Sequence, residues 1–296
     1  MDIIKNTKVW FIISGLLLAL AVFAFAFNIF VHGKAMNFGI DFTGGTLINL
    51  RFDKPVAVDQ VRQVLDKYKL GESVIQKSGE QDILIRTVPI EGEVRANIIR
   101  DMNEKVGMAE ILEADIIGPT IGKELSSQAI WALIIATIGI IIYVSFRFEF
   151  KWGVAALLAL YHDAIITTGI MALLFRSIDI TFVAAILTIM GYSINDTIVI
   201  FDRIRENLKK PALAKKKFGE LVNISIWETM ARSINTVLTV VVMVVCLLVL
   251  GGETVREFSL TLLIGFSLGM CSSIFVAPPI LVLWHNWETQ GKVAKK

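Results

Sequence analysis

Cysteine and histidine are scarce in this chain of 296 residues, with two of the first and three of the second. Cys246 and Cys271 both fall inside apolar runs, so they read as small core residues and no structural disulfide is expected. His32, His162 and His285 are too scattered to make a metal set, and no HExxH, paired CxxC or nucleophile elbow occurs. Residues 118–123 (GPTIGK) superficially suggest a phosphate loop. They are one residue short between the glycines, and Glu124 stands where a Ser or Thr is needed, so ATP binding there is rejected. Nothing resembles a hydrolytic active site, so no catalysis, cofactor or metal is expected. A surplus of one charge is missing too: the formal net charge is +2, too small to point to nucleic acid.

Apolar side chains are what the chain has in excess. They make up 55% of the residues against 19% charged, with mean hydropathy +0.66, which excludes disordered, collagen-like and disulfide-rich classes and argues for a bilayer protein. A spanning helix needs about 20 mostly apolar residues. Six runs qualify, at 9–31, 128–146, 152–175, 180–201, 233–250 and 258–284. The first follows Lys5 and Lys8 like a signal peptide, but it is too long, and Phe30, Val31 and His32 stand where a small-residue cleavage pattern would be. It is expected to be an uncleaved first span.

Lys and Arg in the short loops give the orientation. Lys5, Lys8, Arg147, Lys151, the stretch from Arg203 to Arg232 with Lys215, Lys216 and Lys217, and then Lys292, Lys295 and Lys296 all fall on one side, against Arg176 and Arg256 on the other. Both termini and loop 202–232 are therefore expected in the cytoplasm, and residues 32–127 outside. The basic run 209–217, broken by Pro211, reads either as contact with anionic lipid or a cytoplasmic partner, or as topology alone.

Residues 32–127 have ordinary soluble composition. A strand is expected over 40–52, then a helix from the spacing of Val58, Val61, Val64, Leu65 and Tyr68. A hairpin follows, 73–77 and 83–88 about a turn at Ser78 and Gly79, then a helical stripe of Val94, Ile98, Met102 and Val106, and a strand over 110–117. The order βαββαβ is the ferredoxin-like split βαβ pattern, large enough to fold outside the membrane. The expected fold class is thus a membrane α-helical protein of six spans, with a small α+β ferredoxin-like external domain inserted between helices one and two. The expected divisions are 1–31 (tail and first span), 32–127 (external domain), 128–285 (five-helix bundle) and 286–296 (basic cytoplasmic tail).

An ionisable group inside a span costs about 2.5 to 3.5 kcal/mol on insertion scales, so each calls for an explanation. Asp163 lies near the middle of the third run. Its neighbour His162 points about 100° away round the helix, so the two are not expected to face one partner, and Asp163 shares its face with Thr167. Asp163 is read either as a packing bond to a neighbouring helix or as a functional acid. In the fourth run Thr181, Thr188, Tyr192, Asn195 and Asp196 form a polar stripe, and Arg232, Asn235, Thr236 and Thr239 open the fifth with another. Arg232 and Asp196 come to comparable depth, either as a pair tuned for reversible protonation or as a fixed ion pair that sets helix register. In the sixth run Gly265 and Gly269, followed by Ser272, Ser273, Pro278 and Pro279, allow close helix contact.

Five sequence elements carry a family resemblance: residues 38–46 (FGIDFTGGT), 118–122 (GPTIG), 161–163 (YHD), 191–207 (GYSINDTIVIFDRIREN) and 232–236 (RSINT). Over nearly its whole length the chain resembles the SecD/SecF family, membrane subunits of the bacterial protein-export machinery within the resistance-nodulation-division superfamily. The resemblance implies a companion, SecD, with six further spans, association with the SecYEG translocon in the cytoplasmic membrane among its lipids, and external domains that grip and release the translocating polypeptide. It also implies use of the proton gradient, with Asp196 and Arg232 as the proton-responsive pair and Asp163 and Asn195 as further members of the same polar interior. Two other readings stand beside it: an exporter of small molecules or lipids from the same superfamily, and a non-transporting assembly scaffold.

Overall fold

The computed structural model describes residues 2–77, 79–252 and 255–293. It divides into two compact units, residues 1–37 with 132–296, and residues 38–131.

The first unit is helical. Among the described residues six helices are long and apolar enough to cross a membrane: the first span Thr7–His32, the second Pro119–Arg147, the third Phe150–Leu173, the fourth Ile180–Leu208, the fifth Phe218–Leu250 and the sixth Arg256–Gln290. Several outrun the apolar sequence that announces them. The second starts at Pro119, where a missing N–H does no harm in a first turn, instead of at 128. The expected loop 202–232 is mostly helix. Only 209–217 separates the fourth and fifth spans, and it holds one helical turn at Pro211–Ala214. The charged ends of these helices satisfy one another. Arg203 bonds Glu228 (Nε–Oε2 2.6 Å) and Glu206 (2.7 Å), and Asn207 Nδ2 donates to Ser225 Oγ at 2.9 Å and to Glu228 Oε2 at 2.6 Å. The sixth span is also not one rod. It breaks at Val276 into Arg256–Phe275 and Ala277–Val293, because Pro278 and Pro279 fit a first turn but would each remove a backbone bond in mid-helix.

Close approach organises the bundle. A Cβ on Gly169 would lie 2.2 Å from Ala21 Cβ of the first span, and one on Gly265 would lie 2.1 Å from Ile189 Cδ1 of the fourth. Asn28, buried in the first span, donates to the carbonyl of Ala172 at 2.7 Å. Toward the other end, Phe201 packs edge-on against Trp152 and Phe148, with centroids 5.3 and 6.0 Å away. Cys246 and Cys271 are both exposed, which corrects the expectation that they are core residues: an apolar run does not say which of its faces meets lipid.

The second unit, residues 38–131, carries β1 (Gly45–Phe52), α1 (Val58–Asp66), β2 (Val74–Lys77), β3 (Asp82–Thr87), α2 (Gly92–Lys105) and β4 (Ala109–Ile117). The sheet order is β2-β3-β1-β4, with every neighbouring pair antiparallel. Ile48, Leu50, Phe52, Ile83 and Ile85 turn one face of it onto Val61, Leu65, Ile98 and Met102 from the helices, all buried. The strand expected over 40–52 begins only at Gly45, because Ile40–Thr43 makes a helical turn that ends on Gly44 (φ +69) and Gly45 (φ +137). A side chain at Gly45 would meet Thr87 O at 2.4 Å, and one at Gly122, in the first turns of the second span, would meet Gly44 N at 2.9 Å. Gly45 needs glycine for space as well as for φ, and Gly122 for space alone. The turn expected at Ser78 and Gly79 falls partly outside the described residues, as do Lys295 and Lys296 of the basic tail.

Candidate functional site

Among the described residues, two carboxylates lie buried inside the helical unit, in separate nodes. Asp163 of the third span is fully buried. Its Oδ2 accepts from Ser193 Oγ of the fourth span at 2.8 Å and from Ser272 Oγ of the sixth at 2.5 Å. Its Oδ1 lies 3.0 Å from His162 Nδ1. The two share no third partner, as their spacing implies, but they meet each other. The two Cα–Cβ directions do diverge, but an imidazole is long enough to fold back along the helix to its neighbour. Thr167, on the face of Asp163, is buried with no partner for its hydroxyl. Just beyond, Thr197 and Ser273 hydroxyls meet at 2.8 Å, and Ser273 Oγ donates to Ser193 O at 3.3 Å.

Asp196, one turn along the fourth span from Ser193, faces the fifth. Its Oδ1 accepts from Ser233 Oγ at 2.7 Å, and its buried Oδ2 has no partner. Arg232, the neighbour of that serine, is exposed and forms no ion pair with Asp196. The direct pair expected between Asp196 and Arg232 is therefore replaced by an acid–hydroxyl contact. Ser233 and Arg232 point about 100° apart on the helix, and only the shorter side chain falls on the face packed against the fourth span. Asn195 is exposed as well, outside the interior in which it was expected. With Thr188 and Gly191 on the fourth span, and Asn235, Thr236 and Thr239 on the fifth, it belongs to an outward-facing polar and small-residue surface. Tyr192 reaches the edge of this surface half-buried.

Sequence reasoning missed His162, Ser193, Thr197 and Asn28. Ser193 and Thr197 had a legible signal, since they stand four residues apart, as do Gly265 and Gly269 on the helix they meet. His162 had none beyond adjacency to Asp163.

Residues 98–287 match the family described as protein export membrane protein SecD/SecF, C-terminal, and residues 29–56 match the SecD/SecF GG motif. The chain belongs to the SecD/SecF family. The second match covers the Gly44–Gly45 turn. The protein translocase subunit SecF of Sebaldella termitidis is 37% identical over 300 residues, covering all of this chain and 95% of that protein. SecF of Escherichia coli O157:H7 is 38% identical, covering 96% and 88%. Among solved structures, SecDF of Thermus thermophilus, described as a translocon-associated membrane protein, superposes with TM-score 0.86 at 37% identity over 97% of this chain. SecDF in its super-membrane-facing form gives TM-score 0.71 at 36% identity. This SecD/SecF family member spans about two-fifths of those SecDF chains, 39% and 40%. With six apolar helices and this kinship, it is a multi-pass membrane protein.

Proposed function

We propose that this chain serves protein export as the SecF-type half of an assembly with SecD, at the SecYEG translocon of the bacterial cytoplasmic membrane, and that it draws on the proton gradient. The observation that carries the reading is Asp196: a buried acid in a spanning helix, held by one hydroxyl, with its second oxygen bare. A carboxylate in that position costs free energy that protonation relieves. When a proton arrives from outside, the charge that Ser233 supports disappears and the contact between the fourth and fifth spans weakens. When the proton leaves to the inside, the contact reforms. One charge crossing the field is worth about 2.3 kcal/mol per 100 mV, enough to bias a two-state packing arrangement. Arg232 acts on this cycle through space, as the fixed positive charge nearest in sequence to Ser233.

The outward face supports the partnership. Arg232, Asn195, Asn235 and Thr239 on spanning helices would stand in hydrocarbon if nothing covered them, so a second helical half belongs there. The distribution of Lys and Arg supports both termini on the cytoplasmic side. In the smaller unit, the order β2-β3-β1-β4 with two covering helices supports a ferredoxin-like domain, which on this reading is the part that handles emerging polypeptide.

The test is gradient-driven export into vesicles carrying SecYEG, SecD and this chain. Asp196→Asn and Arg232→Met are each expected to bring export down to the level seen when the gradient is collapsed. Export at the wild-type level from both would overturn the reading.

A further inference from the structure

We infer that His162 and Asp163 form a second proton-binding site, in which one hydron is taken up at His162 Nε2 and stabilised by the Asp163 carboxylate. This deepens the proton-coupled reading above but stands on a node separate from Asp196.

Asp163 receives two hydroxyl bonds on Oδ2, from Ser193 and Ser272, and faces His162 Nδ1 with Oδ1. With two hydroxyls already donating to Oδ2, we take the acid as ionised, so that Oδ1 accepts the hydrogen that the neutral imidazole carries on Nδ1. That leaves Nε2 as the acceptor nitrogen, and Nε2 is buried with no partner. The imidazole as a whole is nine-tenths buried and Asp163 is wholly so. A nearby positive charge stabilises a fully buried carboxylate, and among the described residues no Lys or Arg lies within ion-pair distance of Asp163. Among the described residues, the group in contact with it that can become a cation is His162. Uptake is a simple acid–base step: the Nε2 lone pair forms an N–H bond, the dyad passes from net negative to neutral, and release returns the electron pair to nitrogen.

Among the described residues, the helices packed on the third span bring no Lys or Arg into an ion pair with the dyad, and His285 of the sixth stacks on Phe218 of the fifth. The first span presents Ala21 and Asn28, neither of them ionisable. The fourth presents Ser193, while its acid, Asp196, is committed to Ser233. The first half of the sixth presents Ser272, with the Cys271 thiol alongside. In its second half, Glu288 meets Lys151 at the opposite end of the third span. The dyad is thus an isolated unit of one acid and one base, shared among three helices, and its charge bears on how those helices hold together.

The experiment is solid-state NMR of the full-length chain, with 15N-labelled histidine, in liposomes of phosphatidylethanolamine and phosphatidylglycerol between pH 5 and 8. His162→Gln identifies the signal among the three histidines. His162 is expected to pass from imidazole to imidazolium within that range. In Asp163→Asn, loss of the adjacent negative charge is expected to cut the imidazolium-to-imidazole ratio at any given pH by about tenfold or more. Ser272→Ala, which removes a neighbour but keeps the charge, is expected not to lower it. A His162 that stays neutral down to pH 5, or an unchanged ratio in Asp163→Asn, overturns the inference. So does an equal fall in Ser272→Ala, since the loss would then follow packing instead of charge. Asp196→Asn is expected to leave the His162 signal in place, so failure of this site and failure of the Asp196 reading are told apart.

Discussion

Glycines show how single atoms decide helix contacts in this bundle. At Gly169 an added methyl would meet Ala21 backbone and side chain at 2.5 and 2.2 Å, so neither helix can yield locally. Gly169→Ala is expected to destabilise the chain in detergent by about 1–3 kcal/mol, the usual range for overpacking, seen as a lower thermal midpoint. Gly265→Ala meets only the Ile189 side chain, which can rotate away, and is expected to cost less. Gly191, with nothing within 4 Å, is the control, and Gly191→Ala is expected to leave the midpoint of the isolated chain unchanged. A fall at Gly191 equal to that at Gly169 would show that the contacts assigned here do not govern stability. The same scale separates the two acids. Asp163 is ringed by donors from its own and two other helices, whereas Asp196 has one, so substitution at Asp163 disturbs more packing for a given change of charge.

Elements add constraints that no single residue carries. In the smaller unit Leu50 is fully buried between sheet and helices, and Leu50→Ala is expected to cost about 2–5 kcal/mol, read as unfolding of that unit at lower temperature. On its surface, Asp101 is held below the usual carboxylate range, first by the hydrogen bond from the Lys67 ammonium and then by the Tyr68 hydroxyl. A depressed folded-state value contributes stability that is present above the ordinary carboxylate range and lost as pH falls through the lowered one. Acid unfolding of this unit is therefore expected to be less steep in Asp101→Asn, by a small amount because the pair is solvent-screened. Between the fourth and fifth spans, Glu228 accepts from both Arg203 and Asn207. Glu228→Ala is expected to free the ends of those helices and speed tryptic cleavage at Lys215–Lys217 several-fold. Unchanged cleavage would mean that the clamp holds without its acid.

For the molecule as a whole, the informative feature is what the bundle leaves uncovered. The fourth and fifth spans present Asn195, Asn235 and Arg232 outward at positions flanked by apolar sequence. With Cys246 and Cys271 replaced by Ser, a cysteine at Asn195 or Asn235 is expected to crosslink to SecD in membranes, and one at the exposed Phe146 is not. Equal crosslinking from all three positions would remove the argument for a partner on that face.

Periodicity and hydropathy determined the six spans, the βαββαβ order and the presence of two acids in the membrane, because burial of apolar surface at 3.6 or 2 residues per repeat leaves its mark directly on the chain. Helix ends were less legible. The second, fourth and fifth helices run on through charged residues whose partners lie far along the chain, as Arg203 and Glu228 do, and the sixth is cut at two prolines. Which polar groups meet was decided only in three dimensions. Ser233 instead of Arg232 reaches Asp196, and Ser193 and Ser272 join His162 at Asp163, since side-chain length and the rotation of each helix against its neighbours settle contacts of 3 Å, and neither quantity is written in local sequence.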